Sequence, residues 1–549
     1  MFEINLDLPD IPSNVPPPPE ALQSNLERYG YDMVVATTQD SINKALTRII
    51  KGRMHFASEA GPPPFTVCFK QPAGSSSLVA MDPVEFFGVV GDINLMPDQA
   101  DQSDKRVAAL DALGFDSMFQ AQLGMLGNVP ANMQDFVTFD QGTSRVSYHL
   151  FFSSLTICTI DEHRGKPFWR KITQPQDQPW VFRFLINLDM RAGDQNAFNL
   201  LPPEVQARIK NLQPDSAFSL TQLMFDLDSV SLQDSPAIEG IDPKSRVYDT
   251  LSRVIIENYW QPLKESGGVM LGYGVLPANS NSPSPSIVPT DLNIVLSANR
   301  DAEGNETHNY GLYTLDYLVM SENRQLPAPG QFSWNWFGSG EINDGEMIGL
   351  TAINRNTYAH FLKDLLDKNC SWSYGGTGLP PFEIVVSNQT QVHASDGFSN
   401  LLGFRMAVTR DNFDFTIFGD VRVQGNLIRM ELRAVVDSYH DPFVGLIVGR
   451  IIDYMRTVEY LLQVDQSGTL KVEMQPPRLI NQSRPEFEWV ANLIDLQNSM
   501  LNLDDAMTSI LNGSHAWIFP GGPIVAYQKA FFSAWGDLVA YFKYDPQFE

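Results

Sequence analysis

Residues Tyr29–Lys51 read YGYDMVVATTQDSINKALTRIIK, a short strand, a polar turn and then an amphipathic helix. Ile42, Ala45, Leu46, Ile49 and Ile50 fall on one face at helical spacing. Thr37 or Thr38 can cap the helix start, and Asp40 and Ser41 suit its first turn. The same unit returns at Gly349–Lys368, GLTAINRNTYAHFLKDLLDK. There Tyr358, Phe361, Leu362, Leu365 and Leu366 each lie 316 residues beyond the helix-face positions just named (358 − 42, 366 − 50). Ala36 and Ala352 keep the same offset. A repeated strand-to-helix unit predicts two similar halves.

The totals set limits on what those halves can do. A chain of 549 residues with 43% apolar and 11% aromatic side chains can bury substantial cores. Its 38 Lys and Arg against 64 Asp and Glu give a net charge of −26. That excess disfavours nucleic acid and anionic membrane surfaces, both of which are bound through Lys and Arg. Cys68, Cys158 and Cys370 are far apart and odd in number, so neither a disulfide framework nor a zinc spacing is present. The first residues, MFEINLDLPDIP, lack the basic and apolar regions of a secretory signal. The expectation is a chain that is cytoplasmic when synthesised, with export by another route left open. Residues 443–462, FVGLIVGRIIDYMRTVEYLL, are interrupted by Arg450, Asp453, Arg456 and Glu459 and are expected to form a core helix rather than a membrane span.

In chain order, residues 1–27 form an arm with Pro16–Pro19 consecutive, suited to extended conformation; it could dock on a partner, but a passive arm lying on its own domain is the favoured reading. Residues 98–135 are rich in Asp, Gln, Met and Leu, with a helical piece at Lys105–Leu113, and are expected as an insertion or lid. Residues 146–161 suit one buried strand and 181–190 a half-buried strand. The stretch 217–232 shifts its apolar parity after Asp228, which predicts a bulge. Asp242-Pro243 begins a predicted helix with Val247, Leu251, Val254, Ile255 and Tyr259 facing the core. Pro277–Pro289, PANSNSPSPSIVP, is the clearest linker. Beyond it, 291–298 and 310–320 predict a hairpin, and 413–423 and 427–434 a second one turning at Gln424-Gly425-Asn426. A helix is expected at 486–512, and the C-terminus closes with two strand-like pieces.

Chemistry-bearing motifs are scarce. Gly272-Tyr273-Gly274 lacks the helix that a phosphate-cradling loop needs and is expected as a tight turn. There is no Gly-x-Ser-x-Gly elbow and no His-Glu-x-x-His. His163 is expected in a polar, solvated loop. Two acidic groups, Asp98, Asp101 and Asp104, and Asp301, Glu303, Asn305 and Glu306, could supply oxygen ligands to calcium, but neither has the twelve-residue loop pattern. Asp226 and Asp228 share a strand face at the spacing of a carboxylate pair, but without a visible partner an outward polar face is the favoured reading.

Two stretches carry a family resemblance. Tyr29-Gly30-Tyr31-Asp32-Met33-Val34 with Asp40-Ser41-Ile42-Asn43-Lys44-Ala45-Leu46 resembles the N-terminal signature of the tubular lipid-binding (TULIP) superfamily. More narrowly it is similar to the OrfX-type accessory proteins of botulinum-neurotoxin gene clusters. Phe519-Pro520-Gly521-Gly522 with Gly536-Asp537-Leu538-Val539 and Tyr544 resembles that family's C-terminal strands. The proline-rich arm and residues 98–135 depart from the pattern. The resemblance implies an α+β fold of two TULIP-like superrolls in tandem, each a long helix wrapped by a highly curved antiparallel sheet.

The expected domains are therefore an arm at 1–27, a first TULIP-like domain at 28–276, a linker at 277–289 and a second domain at 290–549. The expected function is non-catalytic binding of a lipid or other apolar ligand, partnership in a toxin-associated assembly, or both. The alternative is an enzyme that folds or cyclises an apolar substrate in the tube. Ile42, Leu46, Ile49, Ile50, Tyr358, Phe361, Leu362, Leu365 and Leu366 are the candidate cavity lining, and core filling is the competing role for each. No catalytic residue, metal or cofactor is implied. The partners expected are an apolar small molecule and a protein, a toxin or a sister TULIP-like chain, with no nucleic acid and no transmembrane segment.

Overall fold

The strands of the two strand-to-helix units lie side by side in the middle of one sheet. The computed structural model describes residues 20–44, 46–47, 66–75, 79–82, 114–123, 135–139, 145–163, 166–176, 179–193, 218–226, 237–254, 270–277, 289–338, 348–369, 373–374, 377–378, 383–387, 397–410, 413–438, 449–466, 468, 470–485, 517–518 and 525–544. With strands numbered in chain order, β1 (Met33–Thr38) and β15 (Ile348–Ile353) pair antiparallel in the middle of a six-stranded sheet. Met33 faces Ile353, Val35 faces Thr351 and Thr37 faces Gly349. Thr351 is the residue 316 positions after Val35 (351 − 35), so equivalent positions of the repeat meet each other at a local two-fold axis.

The flanking strands obey the same axis. A hairpin of β13 (Pro289–Ser297) and β14 (Thr314–Ser321) lies beside β1. A hairpin of β26 (Val525–Phe532) and β27 (Leu538–Tyr544) lies beside β15. Each half of the sheet thus joins one strand to a hairpin that comes from far along the chain. β1, β14 and β15 are buried along their whole length, which is why they read as unbroken apolar runs rather than alternating ones. One face, with Val35, Tyr317 and Ile353, joins the large apolar core. The other, with Val34, Leu350 and Tyr541, is covered by Phe332, Trp334 and Trp336 and by Leu26 of a short 3-10 turn (Leu26–Arg28).

The helix starts repeat in atomic detail. Helix α1 occupies residues 39–44 and 46–47, α2 is Arg246–Val254, and α3 is Arg355–Asn369. Thr38 Oγ1 accepts the Ser41 N–H at 3.1 Å, and Asn354 Oδ1, at the equivalent position, accepts the Asn356 N–H at 2.8 Å. The Ser41 hydroxyl donates to the Ile348 carbonyl (2.8 Å) and accepts its N–H (2.7 Å). Its counterpart Thr357 donates to Asp32, which is the counterpart of Ile348, at 2.7 Å. Each helix is therefore tied to the other unit's strand.

Three further sheets surround this centre. One has the order β25 (Trp517–Ile518), β12 (Met270–Pro277), β10 (Phe218–Asp226), β9 (Val181–Gly193), β6 (Arg145–Leu150), β5 (Val137–Phe139), with β11 (Ala237–Glu239) also on β9. The second runs β3 (Val79–Ala80), β2 (Thr66–Pro72), β4 (Phe115–Leu123), β7 (Phe152–His163), β8 (Lys166–Thr173). The third runs β18 (Glu383–Val386), β19 (Ser399–Arg410), β20 (Phe413–Gln424), β21 (Leu427–Ser438), β22 (Gly449–Val464), β23 (Leu470–Met474), with β24 (Arg478–Asn481) also on β22. A two-residue pair, β16 (Ser373–Tyr374) and β17 (Thr377–Gly378), follows α3. Every pairing between named strands is antiparallel, and the architecture is α+β with few helices among the described residues.

Several expectations are corrected by these strands. The core helix expected within 443–462 is strand β22 from Gly449 onward. Its inner side carries Ile452, Val458, Tyr460 and Leu462, while Asp453 and Glu459 point outward to Arg433 and Arg429. The alternation from Arg456 to Leu462 fits a pleated strand and leaves a helix without one apolar face. Residues 146–161 are two strands that part at Phe151 and enter different sheets, β6 beside β9 and β7 beside β4. His163 ends β7 rather than lying in a loop, and Gly272-Tyr273-Gly274 lies inside β12 rather than in a turn. Helix α2 starts at Arg246, three residues after Pro243, while Val247 and Leu251 face the core as expected. β10 has a register shift between Leu223 and Met224, and the bulge expected after Asp228 lies outside the described residues. Residues 98–135, expected as an insertion, include β4, an interior strand of its sheet. The expected helices at Lys105–Leu113 and 486–512, and the Asp98 group, lie outside the described residues.

The third sheet is fastened to the central one through two turns. The N–H groups of Phe532 and Tyr527, on the edge strand β26, donate to the carbonyls of Gly425 (2.6 Å) and Gly468 (2.8 Å). Gly468 has φ +74° and lies so close that a Cβ would overlap Ala526. On the opposite edge, β13 closes its own donors: Asp291 and Asn293 side chains accept the N–H groups of Leu292 and Ile294, each at 2.8 Å.

Candidate functional site

The apolar helix faces converge on a single interior. Ile42 and Leu46 of α1 and Tyr358, Phe361, Leu362 and Leu366 of α3 are buried members of one continuous apolar core. Ile49 and Ile50 lie outside the described residues, and so does the side chain of Leu365. The spacing that singled out these residues therefore placed six of them together. Core filling and ligand lining use the same residues, and within this core Tyr358 also packs its ring against Phe532 at 5.6 Å.

Polar side chains at the helix starts hold the sheets over that interior. Gln39, the first residue of α1, accepts the Phe139 N–H at 2.8 Å and donates to Asp135 at 3.1 Å. One turn on, Asn43 exchanges both hydrogen bonds with the Val137 backbone, at 2.8 and 2.9 Å, as a neighbouring strand would. Arg355, the repeat counterpart of Gln39, donates to the carbonyls of Ser387 (3.0 Å) and Asn400 (2.5 Å). Both helices thus fasten a strand of their own sheet by their first side chain. Burial lowers the pKa of the Arg355 guanidinium, opposed by Glu27 and Asp537.

Three buried carboxylates organise the sheet junctions. Asp32 accepts the N–H and hydroxyl of Ser321, each at 2.7 Å, and the Arg324 guanidinium. Asp537 accepts the Arg355 N–H (2.9 Å), the Leu26 N–H (2.7 Å) and the Ser24 hydroxyl (2.8 Å), which pins the N-terminal segment to the last hairpin. Burial pushes the Asp537 carboxyl up to about 6 in spite of these donors. Asp316 on β14 accepts the Ser297 hydroxyl at 2.5 Å, and burial pushes it up to about 6 as well. None of the three was singled out as a site in the sequence, where each is one acid among 64.

Two polar groups sit within the apolar region itself. The Tyr358 hydroxyl is buried and has no hydrogen-bond partner among the described residues, and burial raises its pKa. Arg456 occupies an inward position of β22, opposite Leu432 and 9% exposed. Cys158 is a buried free thiol pushed up to about 11 by burial, a packing residue rather than a nucleophile. The Asp301–Asn305 loop is an ordinary turn: the Asp301 N–H donates to the Asn305 carbonyl at 2.8 Å, and Arg300 lies 3.7 Å from Glu306. No group of three metal-ligating side chains occurs among the described residues. No described helix is long and apolar enough to cross a membrane.

No protein-family profile and no curated protein matches the sequence. Among solved structures the chain is similar to P47 from Clostridium botulinum A2. That match has 10% identity and a TM-score of 0.40, over 94% of this chain and 97% of the other. It is also similar to lipopolysaccharide binding protein, at 10% identity and a TM-score of 0.27, over 94% of this chain and 98% of the other.

Proposed function

We propose that the chain is a non-catalytic binding protein made of two TULIP-like superrolls that meet at the central sheet, and that their interior takes a lipid or another apolar ligand. The observation that carries this reading is the repeat itself. Two helices related by the Val35–Thr351 axis turn equivalent apolar faces into one continuous interior beneath antiparallel sheets. Burial of acyl methylenes in such an interior contributes about 0.8 kcal/mol each, which is sufficient to hold a long chain without a covalent or metal bond. The Tyr358 hydroxyl, without a hydrogen-bond partner among the described residues, supplies a polar handle within it.

Native mass spectrometry of the purified protein, paired with solvent extraction, tests the proposal. A co-purifying apolar species that is released by extraction supports it. An unliganded mass together with no uptake from a panel of lipids overturns the carrier reading and leaves a scaffold for a protein partner.

A further inference from the structure

The start of helix α3 holds a guanidinium that the fold does not use up. Arg355 is 1% exposed, and an arginine carries five N–H donors in a planar fork. Those on Nη2 go to the carbonyls of Ser387 and Asn400. Nε and Nη1 are buried and have no hydrogen-bond partner among the described residues. Glu27 comes to 3.9 Å from Nη1, an ion pair beyond hydrogen-bond length, and its side chain is 39% exposed. Asp537 meets the backbone N–H of Arg355 and spends its other oxygen on Leu26 and Ser24. Buried donors left unspent are costly, and more so on a charged group.

Two more such atoms lie beside it at the start of β19. The Ser399 hydroxyl and the Asn400 side-chain oxygen are buried and have no hydrogen-bond partner among the described residues. A Cβ on Gly536 would stand 3.0 Å from Arg355 Cδ and 3.1 Å from Ser399 Oγ, so the two side chains flank one point. Ser399 faces Val423 across the ladder, Val423 faces Ile428, and Ile428 faces Tyr460. Those three belong to the large apolar core, which makes Ser399 the polar end of an inward row. On the helix, Tyr358 follows Arg355 by one turn on the same face, with Leu362 and Leu366 beyond it in the core. Polar atoms without partners thus collect where the apolar interior meets the start of α3.

The chemistry of these atoms selects a ligand. The Nε and Nη1 edge of a guanidinium presents parallel N–H groups that match the two oxygens of a carboxylate. One guanidinium balances one negative charge, and the nearby Glu27 and Asp537 are acids, so a phosphate of higher charge is disfavoured. We propose that this is the head-group site of the interior: Arg355 Nε and Nη1 take the carboxylate of a fatty acid, the Ser399 hydroxyl donates to it, and the acyl chain runs along Tyr358, Leu362 and Leu366. The site rests on the apolar-carrier reading above. Glu27 is the internal competitor for Nη1 and gives way when the ligand enters.

Equilibrium binding of dodecanoate and dodecanol to the delipidated full chain tests this. The acid should bind about tenfold or more tightly than the alcohol. Ser399→Ala removes a hydroxyl that the fold leaves without a partner and should reduce that preference about threefold, while Glu27→Gln should raise it by a similar factor. Neither change should alter binding of the alcohol. Arg355→Lys keeps the charge without the fork and should abolish the preference; if that variant does not fold, the two milder ones decide. Equal affinity for acid and alcohol, or a preference that both milder variants leave unmoved, overturns the head-group site and leaves the carrier reading standing. Binding of neither compound overturns both.

Discussion

Val35 lies opposite Thr351 in the central sheet, so the two strand-to-helix units meet at their own equivalent residues. The equivalence reaches the caps, where Thr38 and Asn354 each accept a backbone N–H of the first helical turn. Thr38→Ala and Asn354→Ala are expected to destabilise the protein by similar amounts, about 1 kcal/mol each. Denaturant unfolding of the two variants checks this. A loss at one position alone would show that the units do not share the load.

Asp316 sets a pH dependence. Its carboxyl is pushed up to about 6 in the fold, above its ordinary value of 3.8. A folded pKa above the unfolded one means stability that is complete below about pH 4 and lost as the pH rises through about 6. For this fully buried group the loss amounts to about 3 kcal/mol. Asp316→Asn should therefore lose about that much less stability than the parent between pH 4 and pH 7.5, as read from urea unfolding at both.

Asp537 behaves differently because three donors depend on it. Asp537→Ala strands the Arg355 and Leu26 N–H groups and should cost about 2–4 kcal/mol. It should also release Glu20–Arg28 from the last hairpin. Limited proteolysis followed by mass spectrometry is expected to find new early cleavage in that segment.

Gly468 joins the third sheet to the central one at φ +74°, where an added methyl overlaps Ala526. Gly468→Ala should destabilise by about 1–3 kcal/mol. Gly304, also at a positive φ but with open space around its missing Cβ, provides the control. Gly304→Ala should cost only the backbone strain, and unfolding midpoints of the two variants separate the terms.

Much of the centre was legible in the sequence because it rests on local periodicity. The 316-residue offset, the helix faces and the strands from Val181, Phe413 and Leu427 all follow from spacing within one element. What spacing could not show was which strands meet. β14 sits beside β1 although it lies nearly three hundred residues later, and no local pattern in MVVATT names that neighbour. The Gly449–Val464 strand was read as a helix because Ile451 and Ile452 are both buried beside a bulge, which blurs the alternation. The sequence pattern assigned no role to Gln39 or Asn43. Their role as a clamp on Val137 and Phe139 depends on a strand about a hundred residues away. The buried acids were hidden for the same reason, since their donors come from distant elements.

The central claim is that the interior between helices and sheets accepts an apolar chain. Equilibrium binding of a homologous series of fatty acids to the delipidated full chain tests it most directly. The account predicts saturable binding that tightens about fourfold per added methylene until the interior is filled. No binding, or an affinity indifferent to chain length, would contradict it.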